Sequence, residues 1–432
     1  MTAATPGPAS PLAIPDYRFF WIARFSAAFA TTALIVVIGW QVYDVARTDY
    51  GMSLGEAAFQ LGLLGAVQFV PLALLTPVAG WAADRFERRL VARLANGVDV
   101  LIALTLGIAT AADALNLPLL FGLAAAHGMA RVFVGPALSA IAPNIVPPAL
   151  LPRAIAMNSI AFYSASVSGP AMGGFLYAIN PALTYWTGAG CLTIAIISLS
   201  FVRRVMPPAM SRASHPIRQM VDGLSYVRGH RFLLGAITLD LFAVLLGGAT
   251  ALLPVFARDI LKVGPEGLGW LRAAPAMGGA LVALTLAWRP IRSNVGVKML
   301  LGVAGFGVAT IVFGLSRTLP LSLLALAVLG AADMLSVYVR SSLVQLHTPD
   351  TMRGRVSAVS GLAISASNEL GELESGLLAA LLGPVGAVVA GGAGAIVVTG
   401  IYAYYFPELR RARTFDPPDT ALAEAIAQEK PS

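Results

Sequence analysis

Apolar residues come in long runs, separated by short clusters of proline, glycine and arginine. The runs do not alternate apolar and polar positions in pieces of ~10 residues, as barrel strands would. Each is close to the ~20 residues that a helix needs to cross the core of a bilayer. The pattern predicts about twelve spans, at 17–45, 57–82, 90–112, 117–143, 154–179, 183–203, 231–257, 265–288, 296–316, 320–346, 355–382 and 385–406. Lipid offers no water to backbone N–H and C=O groups, which favours an all-α integral membrane protein.

Composition supports this reading. Of 432 residues, 57% are hydrophobic and 12% charged, with a mean hydropathy of +0.77. A soluble domain carries roughly a quarter charged residues, so this chain must present its surface to lipid. The stretch up to Pro15 has prolines and no Lys or Arg, and reads as a short tail rather than a cleaved signal.

Charge sets the topology. Most of the 29 Lys and Arg fall in the tails and even-numbered loops, as at Arg85, Arg88, Arg89, Arg93, Arg203, Arg204, Arg353, Arg410 and Arg411. Arg47, Arg258, Lys262 and Arg317 fall on the other side. By the positive-inside rule both termini are expected in the cytoplasm. The net charge of +7 is then a topology signal, and no nucleic-acid partner is needed to explain it. The lone Cys191 reads as a small apolar residue within span six.

The longest connection predicts the domain organisation. It gives a cytoplasmic tail at 1–16, a six-helix bundle at 17–203, a central cytoplasmic loop at 204–230, a second six-helix bundle at 231–406 and a tail at 407–432. In the loop Ile217, Met220, Val221, Leu224 and Val227 recur at helical spacing with charges between them, the pattern of an interfacial amphipathic helix. The turn Val146-Pro147-Pro148 with Arg153 and the turn His347-Thr348-Pro349 with Arg353 occupy corresponding places in the two halves. Two parallel six-helix repeats follow, an internal symmetry known among transporters.

Three motifs carry a family resemblance. Gly80-Trp-Ala-Ala-Asp84-Arg85-Phe-Glu87-Arg88-Arg89, between spans two and three, resembles the loop signature of the major facilitator superfamily. The resemblance implies a conformational latch in which Gly80 permits close helix packing and Asp84 pairs with Arg85, Arg88 and a helix N-terminus. Glu87 stands where the pattern often has a second glycine, and the counterpart at Arg289-Pro-Ile-Arg292 lacks the aspartate. In span four, Arg131-Val-Phe-Val-Gly135 resembles the family's buried arginine, which the resemblance ties to proton coupling. In span five, Gly169-Pro170-Ala-Met-Gly173-Gly174 resembles the motif of the family's proton antiporters, physically a bent helix with a flat face. Leu61 to Pro71 and Asp222-Gly-Leu-Ser-Tyr-Val-Arg-Gly-His230 look like the enterobactin-exporter and macrolide-efflux branch. The expected fold is therefore the major facilitator fold, with spans one, four, seven and ten lining a central cavity.

Ionisable groups inside the spans are the sharpest clues, since a charge in the bilayer core needs a partner or water. Arg131 and Asp333 occupy equivalent places in spans four and ten and are expected to face each other. Glu369, Glu372 and Glu374 crowd span eleven. Carboxylates that close cannot all ionise in a low dielectric, which makes Glu369 or Glu372 a candidate proton carrier. Asp99 and Asp240 are weaker candidates, because either can pair with a neighbouring helix. Arg24 and Arg340 could attract an anionic substrate, and Phe25, Phe29, Phe242 and Tyr338 suit a flat amphiphile; snorkelling and plain packing explain the same residues. His127, one turn before Arg131, is a relay candidate and more simply a packing histidine.

No histidine, acid or cysteine spacing suggests a metal site. No Gly-Lys-Ser/Thr occurs, so a nucleotide-driven pump has no P-loop to work with, and no cofactor or nucleophile set points to an enzyme. The expectation is a monomeric plasma-membrane carrier, in the inner membrane of a bacterium. It would exchange protons for a small amphiphile such as a siderophore or drug, with an uptake permease on the same scaffold as the alternative and, after it, a non-transporting membrane sensor or a membrane enzyme.

Overall fold

A computed structural model describes residues 10–139, 141–205 and 216–415, all α-helix, tighter helical turns and connections, with no strand among the described residues. Among the described residues, ten stretches are long and apolar enough to cross a membrane. Spans one to four are Pro15–Thr48, Leu54–Arg85, Arg88–Ala111 and Leu117–Ser139. Span six is Pro181–Phe201, and spans eight to ten are Gly264–Trp288, Val295–Leu315 and Leu319–Leu346. Span five, Leu151–Ile179, has the length to cross but is not among the ten. Spans eleven and twelve form one stretch, Asp350–Tyr405, jointed at Gly383, whose φ of 74° suits glycine and is followed by Pro384.

Local chemistry starts these helices where they start. Before span two, Ser53 and Glu56 form a capping box: the Glu56 N–H donates to Ser53 Oγ at 3.3 Å and the Ser53 N–H to Glu56 Oε2 at 2.8 Å. Asn180 Oδ1 accepts from the Ala182 N–H at 2.9 Å and opens span six.

Span seven corrects the expectation of one continuous helix over 231–257. Its helix, Arg231–Leu246, stops at Gly247 and Gly248, and the chain continues as a 3₁₀ turn at Ala249–Leu252, a short helix at Leu253–Val255 and a π-helical turn at Phe256–Ile260. The physical reason is the glycine pair, which weakens helix, followed by Pro254, which lacks an N–H.

Internal contacts divide the chain into two compact units, one comprising Met1–Ala213 and Thr250–Ala276, the other Ser214–Ala249 and Met277–Ser432. The outer part of span seven and the first half of span eight thus pack within the first unit. Spans one and five run parallel there, joined by hydrogen bonds from Tyr17 Oη to the Ala154 carbonyl (2.6 Å), Trp21 Nε1 to Met157 (2.9 Å) and Thr32 Oγ1 to Ala165 (3.1 Å). Tyr17, Phe20, Leu138, Ile141 and Leu199 form a buried cluster at that end. With lipid as solvent, such packing and interhelical hydrogen bonds hold helices together.

In the second unit the expected helix of the central loop forms at Pro216–Gly229. Val227 is buried with Leu233, Ile237, Val344 and Val356, and Asp222 pairs with Arg355 at 3.4 Å. Val221 and Leu224 remain 58% and 40% exposed, the apolar edge that an interfacial helix offers to lipid. The side chain of Ile217, like Arg212 and the tails 1–9 and 416–432, lies outside the described residues.

Candidate functional site

In the second unit Arg340 of span ten meets Asp240 of span seven, Nη2 to Oδ2 at 3.1 Å, with side chains 3% and 7% exposed. Arg340 Nη1 also reaches Ser360 Oγ at 3.5 Å. Asp333 lies two turns before Arg340 on the same helix and is half-buried, which places three charges on adjoining faces of spans seven and ten. For Arg340 the sequence left anion attraction and snorkelling open; here its charge is paired with Asp240. Asp240 has the neighbouring-helix partner that its position in the sequence allowed. On span eleven Glu369 is 7% exposed, Glu372 and Glu374 are half-buried, and Ser375 Oγ donates to Glu374 Oε2 at 3.5 Å. Phe242 is 42% exposed, and the Tyr338 ring stands edge-on to Phe415 with centroids 6.0 Å apart.

The first unit holds Arg131 half-buried in span four, while Asp333 belongs to the second. One turn before Arg131, His127 Nδ1 lies 2.8 Å from Asp99 Oδ1, both side chains 3% exposed. His127 thus has a specific partner on span three. Arg24 lies with its guanidinium carbon 5.8 Å from the centre of the Phe162 ring, and Phe25 stacks between Trp21 at 5.9 Å and Phe29 at 6.1 Å.

The flat face expected of span five is present. Gly169, Pro170, Gly173 and Gly174 are all buried. A Cβ added at Gly169 would stand 2.7 Å from the Phe29 carbonyl oxygen of span one, and one at Gly174 would stand 2.2 Å from that of Pro265 at the start of span eight. The glycines let one helix approach two neighbours backbone to backbone.

The latch region gives a different result. A Cβ at Gly80 would meet nothing within 4 Å among the described residues. The Asp84 side chain lies outside the described residues. Arg85 sits 5.5 Å over the Trp81 ring. Glu87 adopts φ −56°, which any residue can adopt, so no second glycine is needed there. Its Oε1 accepts from Arg89 Nε at 2.7 Å.

A second charged site escaped the sequence reading. Where spans one and seven end in the first unit, Tyr43 Oη donates to Asp259 Oδ2 at 2.6 Å. Arg47 Nη2 approaches Asp259 Oδ1 at 3.5 Å, and Arg258 Nη1 approaches Asp44 Oδ1 at 3.1 Å. The Arg258 guanidinium also lies 5.9 Å over the Tyr43 ring. Arg258 and Asp259 are neighbours in the π turn at Phe256–Ile260. The charges looked like loop-end charges in the sequence, and only the crossed pattern of signs, Asp44 and Arg47 against Arg258 and Asp259, could have signalled the pairing.

Residues 6–427 match the family described as transmembrane secretion effectors. The chain belongs to this family of the major facilitator superfamily. Curated relatives of this major facilitator protein include the enterobactin exporters of Shigella dysenteriae serotype 1 and Escherichia coli O81, each 26% identical over 408 residues, covering 94% of this chain and 95% of the relative. Solved structures with the same fold include a bacterial homolog of the human lysosomal transporter Spinster in an inward-facing, occupied conformation. It has a TM-score of 0.70 and 16% identity over 92% of this chain and 98% of that one. A D-xylose–proton symporter has a TM-score of 0.70 and 13% identity over 91% and 98%. The protein is a multi-pass membrane transporter of the major facilitator fold and not an enzyme.

Proposed function

We propose that this transporter exports a small amphiphilic molecule in exchange for protons, by alternating access of its two six-helix halves, 17–203 and 231–406. The observation that carries the coupling is the buried pair of Asp240 and Arg340 with Asp333 two turns away on the same helix. One arginine there serves two carboxyls: a proton on Asp240 releases Arg340 towards Asp333, whereas a proton on Asp333 holds it on Asp240, and the fit of spans seven and ten changes between the two. Glu369, Glu372 and Arg131 are the further coupling candidates. Asp99 is held by His127 and is assigned a lesser part. Gly80, Asp84, Arg85 and Arg88 are assigned the latch, and Gly169, Pro170, Gly173 and Gly174 the packing hinge. Phe25, Phe29, Phe242 and Tyr338, with Arg24, are assigned to the substrate path.

Support for export comes from the curated relatives, whose names state enterobactin export, which makes enterobactin the first compound to test. We place the protein as a monomer in a bacterial inner membrane with both termini cytoplasmic, as the arginine distribution requires. The test is a substrate screen in proteoliposomes under an imposed proton gradient, comparing wild type with Asp333→Asn and Glu369→Gln. Proton-driven movement that either substitution abolishes supports antiport. Movement indifferent to the gradient and to both substitutions refutes it, and accumulation in intact cells identifies an uptake permease.

A further inference from the structure

Beside the Gly-Pro face, spans one and five carry an unusual set of side chains. Their register is parallel, with Trp21 opposite Met157 and Thr32 opposite Ala165, which brings Arg24 opposite Phe162. The Arg24 guanidinium lies over the Phe162 ring at 5.8 Å, and its Nε is buried without a hydrogen-bond partner. One helical turn before Phe162, on the same face of span five, Asn158 Oδ1 is also buried and unpartnered. Phe162 itself is 43% exposed. Trp21, Phe25 and Phe29 continue as a stacked aromatic row on span one.

The two buried polar atoms call for partners. A buried guanidinium N–H and a buried amide oxygen, both unmatched, carry a desolvation penalty of the kind that native proteins seldom leave in place. A cationic head on a ring compensates only part of it. Facing lipid, an arginine at this depth would be more unfavourable still. A ligand that supplied them would accept from arginine and offer a flat apolar body to the aromatic row.

We infer that Arg24, Asn158 and Phe162 form a subsite for a flat aromatic anion, one whose carboxylate or comparable acidic group meets Arg24 while its ring stacks beside Phe162 and the Phe25–Phe29 row. This deepens the export reading and rests on it for its physiological meaning, since it names the chemistry of the cargo. Arginine suits the role because its planar fork binds an anion in two places and still stacks on aromatics. Asn158 contributes an acceptor or a donor as its amide is turned, and thereby tolerates a hydroxyl next to the acid.

The test is equilibrium binding to the full chain in detergent, using 1-naphthoate, the isosteric neutral 1-naphthamide and the cation 1-naphthylmethylammonium as probes. The subsite predicts naphthoate bound about tenfold or more tighter than the amide, with the cation weakest. Arg24→Gln should erase the difference between acid and amide, whereas Arg24→Lys should keep part of it. Phe162→Leu should weaken both acid and amide by about three- to tenfold and leave their ratio unchanged. Equal binding of acid and amide, an unchanged ratio in Arg24→Gln, or no naphthoate binding at millimolar concentration overturns the inference. The wild-type probe series decides the matter even if a variant fails to fold. A charge preference without proton-driven flux refutes antiport and leaves this subsite standing; proton-driven flux with no charge preference does the reverse.

Discussion

Replacing Arg340 with glutamine leaves Asp240, which is 5% exposed, without the guanidinium that sits 3.1 Å from it. Breaking a buried pair from one side typically costs about 3–5 kcal/mol, because the remaining charge is uncompensated, whereas removing both charges together is often near neutral. The side chains of both residues are under a tenth exposed, so the solvent screening that makes surface pairs nearly worthless does not apply. The single variants Arg340→Gln and Asp240→Asn should each lose stability, the arginine variant more, since it strands a carboxylate beside Asp333. The double variant should recover most of the loss and show a coupling of about 2 kcal/mol or more. Reversible unfolding in mixed micelles, followed by far-UV circular dichroism, gives the four free energies of the cycle. Additive single effects, or an Arg340→Gln protein as stable as wild type, would refute the claim that the pair is a closed, dry interaction.

Gly174→Ala should destabilise by about 1–3 kcal/mol, because its Cβ would stand 2.2 Å from the Pro265 carbonyl oxygen and force backbones apart; the same unfolding assay checks it, with Gly80→Ala as the near-neutral control. Asp259→Ala removes the acceptor of Tyr43 and the partner of Arg47, both side chains of the ion pair being about a quarter exposed, and should lose about 1–2 kcal/mol, read as increased proteolysis at the end of span seven. His127→Leu leaves Asp99 buried without its 2.8 Å partner and should lose about 1–3 kcal/mol, while Asp99→Leu/His127→Leu should recover part of that loss when thermal unfolding of the single and double variants is compared.

The spans were legible because bilayer thickness imposes one length on every crossing helix, and the joint at Gly383-Pro384 falls where the apolar pattern places the boundary between spans eleven and twelve. The break in span seven was not, because Gly247-Gly248 inside an apolar run has the same appearance as packing glycines such as Gly173-Gly174. Residue type could mark Asp240 and Arg340 as costly in a membrane. It could not pair them, since their partnership depends on which faces of spans seven and ten meet. Arg340 therefore read equally as a cation open to substrate and as a snorkelling side chain. The Asp44, Arg47, Arg258 and Asp259 network was hidden for a different reason: charges at span ends need no explanation, and the π turn that carries Arg258 and Asp259 has no sequence signature. Gly80 differs again: the family motif implies close packing, and a Cβ there would meet nothing within 4 Å among the described residues.

The central claim is exchange of protons for an exported amphiphile through the acids of the second unit. It is tested most directly by trapping a pH-sensitive dye inside proteoliposomes and recording the proton flux that follows addition of a transported amphiphile, for wild type and Asp333→Asn. The account predicts substrate-dependent proton movement, opposite in direction to the amphiphile, in wild type and none in Asp333→Asn. Amphiphile movement with no accompanying change in internal pH, or an unchanged proton flux in Asp333→Asn, would contradict it.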